Sequence, residues 1–363
     1  MESLRWSAII PFTLVLFQAL TPSGSAQAPA ITLGADFRYR YENITLEGTD
    51  TRVRHRIRAL VGVTGIVNEE VTVGLQLGSG NDVPFSKNQT LTGGFSSKQV
   101  LIDLAYFEYR PEPARGLAIR GGKMRNPFYT AGNTELVWDN DLRPEGIAAV
   151  WAVTRGTLAV NLAGSYFLID ERPSARDAVL LGGQARVSYA PRPATVHLGA
   201  GYYDYRNARG RAPFYATATP FGNSVGPDGS YREGFRELNT FIEVSPRALA
   251  PNTTLFADYV VNLAEDVDDN RGWLAGVSAG RLSDPGSFAF RYTYRRIEAD
   301  AVVGVFTDDD FGGGGTNASG HEVNFDYQAG THAMLGATWY ANQKGLADGA
   351  DYHRLMLDFS FRF

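Results

Sequence analysis

The sequence predicts an all-β chain, a transmembrane antiparallel β-barrel of about sixteen strands. Three observations predict it. From Arg354 onwards the residues alternate strictly, with Leu355, Leu357, Phe359, Phe361 and Phe363 on one side and Arg354, Met356, Asp358, Ser360 and Arg362 on the other. Such a period of two marks a strand with one apolar and one polar face. Between Arg52 and Arg58 every second residue is an arginine, while Val53, His55 and Ile57 stand opposite. Along the whole chain, short turns and long polar loops take turns, separated by strand-length stretches of about ten residues. A soluble sandwich could close on a strand like the last one, and a solvated sheet edge could carry the arginine row. The start and middle of the chain favour the barrel.

Composition bounds the alternatives. The chain has 363 residues, no cysteine, 40 glycines, 21 Phe, 18 Tyr and 5 Trp, with a formal charge of -5. A mean hydropathy of -0.20 would suit a soluble protein, but a barrel alternates lipid-facing and water-facing residues and averages to the same value. Without cysteine there is neither a disulfide framework nor a thiolate metal site. No basic block points to nucleic acid, so no such partner is expected. Residues 1–26 read as a secretory signal peptide: Arg5, an apolar run from Trp6 to Leu20, then small residues up to a cleavage point after Ala26. That run is too short and too broken, by Pro11 and Gln18, for a spanning helix. Residues 27–363 then form one barrel domain, because only helices and closed barrels satisfy every backbone group in a bilayer.

The mature chain enters its first strand at once, Ile31 to Glu42, with Leu33, Ala35, Phe37, Tyr39 and Tyr41 on the apolar side. After a loop at Glu47–Asp50, the second strand carries Arg52, Arg54, Arg56 and Arg58 on one face. An arginine at mid-depth on a lipid face costs about 2–4 kcal/mol, so these four must face water. Further strands are predicted near 71–79, 99–110, 115–124, 145–154, 157–169, 178–190, 195–206, 235–245, 253–263, 272–282, 287–297, 321–328 and 332–342. Long connections fall at 80–98, 125–144, 207–234 and 298–320, with shorter ones at 170–177, 264–271 and 343–351. Gly182, Gly183, Gly199 and Gly201 lie inside strands, where they mark close packing or bending. Aromatic clusters at Tyr106, Phe107 and Tyr109, at Tyr202, Tyr203 and Tyr205, and at Phe288 to Tyr294 suit interfacial girdles. His55 falls by parity on the outer face, where a polar residue suits a subunit contact.

Catalytic and metal chemistry find no footing. The five histidines, His55, His197, His321, His332 and His353, are scattered over different strands without a hydrolase motif. The stretch Asp266–Gly272 fails as a calcium loop, with Arg271 where glycine is needed and Val277 where the bidentate acid belongs. Gly312–Gly315 lacks the Lys-Ser/Thr of a phosphate loop and reads as a flexible tip. No enzyme, cofactor or metal site is expected.

Two stretches carry a family resemblance. The last strand, with Phe359, Phe361 and the terminal Phe363, resembles the assembly signal of bacterial outer-membrane barrels. The runs Gly122-Lys-Met-Arg-Asn-Pro-Phe128 and Leu136-Val-Trp-Asp-Asn-Asp-Leu-Arg-Pro-Glu-Gly146 resemble the bacterial outer-membrane family of putative porins, a barrel like that of the general porins. The resemblance implies an amino terminus in the periplasm and a third external loop folded into the lumen. Glu135, Asp139, Asp141 and Glu145 would then put negative charge at the constriction. Opposite them would stand Arg52, Arg54, Arg56 and Arg58, joined after barrel closure by Arg38, Arg40, Arg354 and Arg362. The function implied is a water-filled outer-membrane channel for passive diffusion of small hydrophilic solutes and ions. The residues leave open a substrate-selective anion or oligosaccharide channel and a non-conducting structural or adhesive barrel. Implied partners are outer-membrane lipid and lipopolysaccharide, the barrel assembly machinery, small hydrophilic solutes and two further copies in a homotrimer. The arginine wall favours anions, and the acidic loops Glu265–Asp269 and Asp308–Asp310, expected at the outer mouth, favour cations.

Overall fold

Alternating strands close on themselves. The computed structural model describes residues 30–215, 220–250 and 252–363, so the segment read as a signal peptide lies outside them. Seventeen segments pair in one sheet. One is the two-residue Gln89–Thr90, leaving sixteen barrel strands. They are β1 Ile31–Leu46, β2 Arg52–Ile66, β3 Val71–Ser79, β4 Val100–Tyr109, β5 Leu117–Lys123, β6 Glu145–Arg155, β7 Leu158–Asp170 and β8 Ala178–Tyr189. The second half comprises β9 Ala194–Arg206, β10 Phe235–Pro246, β11 Thr254–Asn262, β12 Arg271–Gly280, β13 Phe288–Ile297, β14 Ala318–Gln328, β15 Ala333–Lys344 and β16 Ala350–Arg362. Each pairs antiparallel with its neighbours in sequence, and β1 pairs with β16 through Arg40↔Asp358 and Tyr41↔Leu357. Closure gives every barrel strand a neighbour on both sides, the condition for a sheet to stand in lipid.

The two faces follow the sequence pattern. On β16, Leu355, Leu357 and Phe359 are exposed on the outside, while Arg354, Met356 and Ser360 are buried within. The same holds on β2, where Val53, Val61 and Val63 face out. Strict alternation breaks at one place on β4. The β3–β4 register shifts between Gln76 and Leu77, and Asp103 and Leu104 both turn inward while Ile102 and Phe107 stay outside. This is a β-bulge, which re-aims side chains and bends the strand. The girdle reading of the aromatics also needs correction. Tyr202, Phe107 and Phe288 do face out, but Tyr203 and Tyr205 are buried inside the barrel. Of the strand glycines, Gly182, Gly199 and Gly201 mark close packing, while a Cβ on Gly183 would meet no atom nearer than 4.0 Å. A Cβ on Gly182 would lie 2.6 Å from the Phe128 ring, and one on Gly199 would lie 2.3 Å from Phe241.

The interior is filled unevenly. Four connections matter for the lumen: L2 at 80–99, L3 at 124–144, L5 at 207–234 and L7 at 298–317. Leu136, Val137 and Trp138 of L3 and Val302, Val303 and Val305 of L7 form one buried apolar cluster with Tyr203, Phe241, Phe256 and Leu274 of the strands. That cluster occupies the β6–β12 side. The opposite side, β16, β1 and β2, carries the arginines.

Candidate functional site

L3 leaves the wall at a neck closed by Met124 N–H donating to the Pro144 carbonyl at 2.9 Å. It crosses the lumen to the far wall. There the Tyr129 hydroxyl and the Gly132 amide donate to the Glu243 carboxylate at 2.7 and 2.8 Å. Gly132 sits at φ 61, and a Cβ would lie 2.5 Å from the Phe256 ring. Only glycine allows both that turn and that approach. Beyond it, Trp138 packs edge-on against Tyr203 with ring centroids 4.9 Å apart. L3 is thus held by apolar burial, the dominant favourable term in packing.

L7 lies against L3. Its Val303 amide donates to Glu237 at 2.9 Å and its Gly304 amide to Asn223 at 2.7 Å. The Asp139 amide of L3 donates to the Phe306 carbonyl at 2.7 Å, and the Thr307 hydroxyl to the Glu135 carbonyl at 2.9 Å. L7 then turns through Asp308–Asp310 towards the basic wall. Asp308 pairs with Arg295 at 3.0 Å, and Asp310 with Arg354 at 2.6 Å and Arg40 at 3.5 Å. Arg295 also lies over the Phe311 ring, 4.5 Å from its centroid. The sequence reading put Asp308–Asp310 at the outer mouth; the structure corrects this and sets them inside the barrel. The preceding apolar run Ala301-Val-Val-Gly-Val-Phe306 was the available signal, because a solvated external tip has no use for it.

The arginine wall is a mesh of ion pairs. Arg40 donates two bonds of 2.7 Å to Asp358. Glu42, fully buried, accepts from Arg54 at 2.7 Å, Arg56 at 3.2 Å and Arg354 at 3.0 Å. Asp36 accepts from Arg58 at 2.7 Å and from Arg362 at 3.0 Å. Arg38 donates to Asn88 of L2 at 2.6 Å, and Arg56 also reaches the Asn88 carbonyl at 2.9 Å. Gln89–Thr90 pairs with β2 at Ile57 and Arg56, so L2 folds inward as well. Arg52 is exposed and makes no ion pair among the described residues.

Three adjoining spaces lie within the barrel, named outer towards the ends with the long loops and inner towards the short turns. An outer vestibule of about 520 Å³ is lined by Arg52, Arg54, Arg56, Arg354 and Lys344. A narrow eyelet of about 220 Å³ lies between Arg38, Arg40 and Arg58 on one side and Glu135, Asp139, Asp141, Asp309 and Asp310 on the other. An inner vestibule of about 1070 Å³ includes Arg58, Asp141, Arg143 and Arg362. Asn88 and Asp309 line both the outer vestibule and the eyelet, and Arg58 and Asp141 line both the eyelet and the inner vestibule, so the three spaces adjoin one another. In the eyelet, Glu135 accepts from the Asn140 amide at 2.7 Å and Asp139 from the Asp141 amide at 2.6 Å. Burial, then neighbouring Asp308, pushes the Glu135 carboxyl well above its ordinary range. Burial and Glu135 do the same to Asp139, and burial and Asp310 to Asp309. For Asp310 the burial cost is outweighed by Arg354 and Arg40, which hold its carboxyl low.

Most of the predicted residues converge here, and some do not. Glu135, Asp139 and Asp141 stand with Arg38, Arg40 and Arg58 in the eyelet. Arg52, Arg54, Arg56 and Arg354 belong to the outer vestibule and Arg362 to the inner one. Glu145 stands apart: it begins β6 and pairs with Lys123 at 2.8 Å, opposite it on β5. Phe359 and Phe361 touch edge-on at 4.6 Å. Phe363 closes the seam, its carbonyl accepting from the Ala35 amide at 2.7 Å. His55 is exposed on the outer face, where its Nδ1 meets the Tyr39 hydroxyl at 2.7 Å. The eyelet also takes Asn88 of L2, Asp309 and Asp310 of L7 and the paired strand residues Arg291 and Glu322, none of which the sequence reading assigned to it.

A closed sixteen-stranded barrel whose loops turn inward into a charged, polar interior is a porin in architecture. The family described as "Putative porin" matches residues 26–261 and 243–363, and the chain belongs to that family. As a porin it is an outer-membrane channel for passive diffusion of solutes. Among solved structures it resembles Pseudomonas putida OprB, with TM-score 0.59 and 11% identity over 92% of this chain and 94% of that one. It likewise resembles Salmonella typhi OmpF, solved in complex with daunomycin, at TM-score 0.57 and 12% identity over 92% and 97% of the two chains. Vibrio cholerae OmpT in its trimer form gives TM-score 0.51 and 12% identity over 93% and 100%. These likenesses carry the fold. At the level of sequence, no curated protein matches the chain.

Proposed function

We propose that this porin passes small hydrophilic solutes and ions through an eyelet whose two sides carry opposite charge. One observation supports this above the rest: L3 and L7 bring Asp141 and, once ionised as pH rises, Glu135, Asp139 and Asp309 to face Arg38, Arg40 and Arg58 in the smallest of the three spaces, while Asp310 is paired directly with Arg40 and Arg354. Opposed charges between low-dielectric walls set up a transverse field. A polar solute aligns its dipole with that field and keeps favourable interactions as it sheds water. An apolar solute gains nothing from the field and must displace the ordered water. Selection is therefore by polarity and size, and the channel does no catalytic chemistry.

In this reading the chain resides in the outer membrane, delivered there after removal of residues 1–26, and contacts lipid and lipopolysaccharide with its apolar belt. The barrel assembly machinery reads the terminal Phe359, Phe361 and Phe363, and three copies join through the early strands around His55. Single-channel recording in a planar bilayer tests the central claim. Stepwise conductance rising linearly with salt is expected. Folded protein that inserts without steps would remove the diffusive reading and favour a structural barrel.

A further inference from the structure

The outer vestibule has a composition that diffusion alone does not require. Five cationic side chains line it: Arg52, Arg54 and Arg56 from β2, Lys344 from β15 and Arg354 from β16. Two of the five are already engaged from several sides. Arg56 bonds Glu42, Ser86 and the Asn88 carbonyl, and Arg354 bonds Glu42 and Asp310. The other three are not. Arg54 turns only one edge, Nε and Nη2, to Glu42, and neither Arg52 nor Lys344 has an ion-pair partner among the described residues, although both are exposed. The acids facing the same space are Asp50, at its rim, and Asp309. Asp309 is pushed towards its protonated form by burial and by Asp310, so it offsets less positive charge than a free carboxylate would. Glu42 is fully buried behind the arginines, hydrogen-bonded to three of them and 3.9 Å from a fourth, Arg40.

We propose that this vestibule is a docking site for small oxyanionic solutes, with Arg52, Arg54 and Lys344 taking their carboxylate or phosphate oxygens. The proposal rests on the porin reading and adds a solute class to it. The chemistry fits the residue types. A guanidinium offers a planar fork of donors that matches two oxyanion oxygens, while an ammonium adds a compact charge. The space, about 520 Å³, admits a dicarboxylate or a phosphate ester with part of its hydration shell. It lies just outside the eyelet and shares Asn88 and Asp309 with it. A docked anion is thereby held beside the eyelet, the smallest of the three spaces, which raises its local concentration there.

The test uses full-length protein in a planar bilayer. Steps in potassium chloride are recorded first, so that a working pore is established before any oxyanion is added. Inorganic phosphate or succinate is then titrated from either side. Saturable reduction of the chloride current is expected from the vestibule side at concentrations well below those needed from the other. A preference for phosphate over succinate, or the reverse, identifies the head group that the site is built for. Arg52→Gln combined with Lys344→Gln should weaken the effect about tenfold. Equal, non-saturating effects from both sides in a conducting wild-type channel would overturn the docking site and leave the porin reading intact. So would a conducting double variant with unchanged half-saturation. If the double variant fails to insert, the side-to-side comparison on the wild type decides the question.

Discussion

The two halves of the lumen are held together by different physics. On the β6–β12 side, L3 and L7 bury Leu136, Trp138, Val302 and Val305 against Tyr203, Phe256 and Leu274, and each contact is favourable wherever apolar surface leaves water. On the β16–β1–β2 side, the ladder sets like charges directly opposite one another. Arg38 faces Arg58 and Arg40 faces Arg56 across the β1–β2 register, an arrangement that is destabilising by itself. It stands because Asp36, Glu42 and Asp358 are interleaved, and because Asp310 arrives from L7. The apolar half thus packs for its own reasons and in doing so delivers the acid that the charged half needs. L7 is the link between them.

The largest effect is expected where the charged half has least redundancy. Glu42 alone joins Arg54, Arg56 and Arg354 with no exposure to solvent. Glu42→Ala leaves Arg54 without its partner and buried Arg56 without its carboxylate, while Arg354 keeps Asp310, and should cost about 3–5 kcal/mol. Urea unfolding of the refolded barrel measures the loss. A cost near zero would mean that water reaches this wall freely. Next comes the apolar half. Leu136→Ala removes a fully buried side chain from the L3 packing and should cost about 2–5 kcal/mol. It should also raise single-channel conductance, because a loosened L3 no longer narrows the eyelet. Lower stability with unchanged conductance would separate the packing of L3 from its constricting role.

The pH response sharpens the contrast, since the eyelet acids shift in opposite directions. Glu135, Asp139 and Asp309 have raised carboxyl values from burial and from neighbouring acids. Their contribution to the L3–L7 contact is present below the ordinary carboxylate range of about 4 and is lost as pH rises through their raised values. Asp310, held low by Arg354 and Arg40 against its burial cost, contributes above the ordinary range and loses that contribution only as pH falls through its lowered value. Of these four, then, only the first three titrate above about pH 4. Raising the pH should make the eyelet more negative, increase the cation-to-anion permeability ratio severalfold and add current noise as L3 and L7 loosen. A reversal potential that stays flat from acid to alkaline pH would show that these carboxyls do not set the permeating charge.

The legible part of the molecule was the part governed by local repetition. Period-two alternation identified β2 and β16 from single stretches, and the rhythm of turns and loops gave the strand count. The shared face of Arg52 to Arg58 followed from parity alone. What was not legible depends on where loops go once the barrel has closed. Asp310 lies 44 residues before Arg354 (354 − 310) and 270 after Arg40 (310 − 40), yet it pairs with both, and no periodicity encodes such a meeting. The bulge at Asp103 and Leu104 hid for a different reason: one extra residue reverses the parity of everything after it. Tyr203 and Tyr205 were placed with the girdles because aromatic residues serve both belts and cores, and only the inward neighbours decide between them.

The smallest expected effect lies where the charged wall meets solvent. Arg362 bonds Asp36 at 3.0 Å, but its side chain is 70% exposed, and Arg58 holds the same carboxylate at 2.7 Å from a mostly covered position. An exposed pair of this kind is screened by salt and loses side-chain entropy when it forms. Arg362→Gln should therefore change stability by less than about 1 kcal/mol, in contrast to Glu42→Ala one layer deeper in the same wall. Asp36 keeps its main partner, so the local charge of the inner vestibule becomes more negative by one without rearrangement. A measured loss comparable to that of Glu42→Ala would mean that the β1–β16 seam, rather than burial, governs the stability of the charged half.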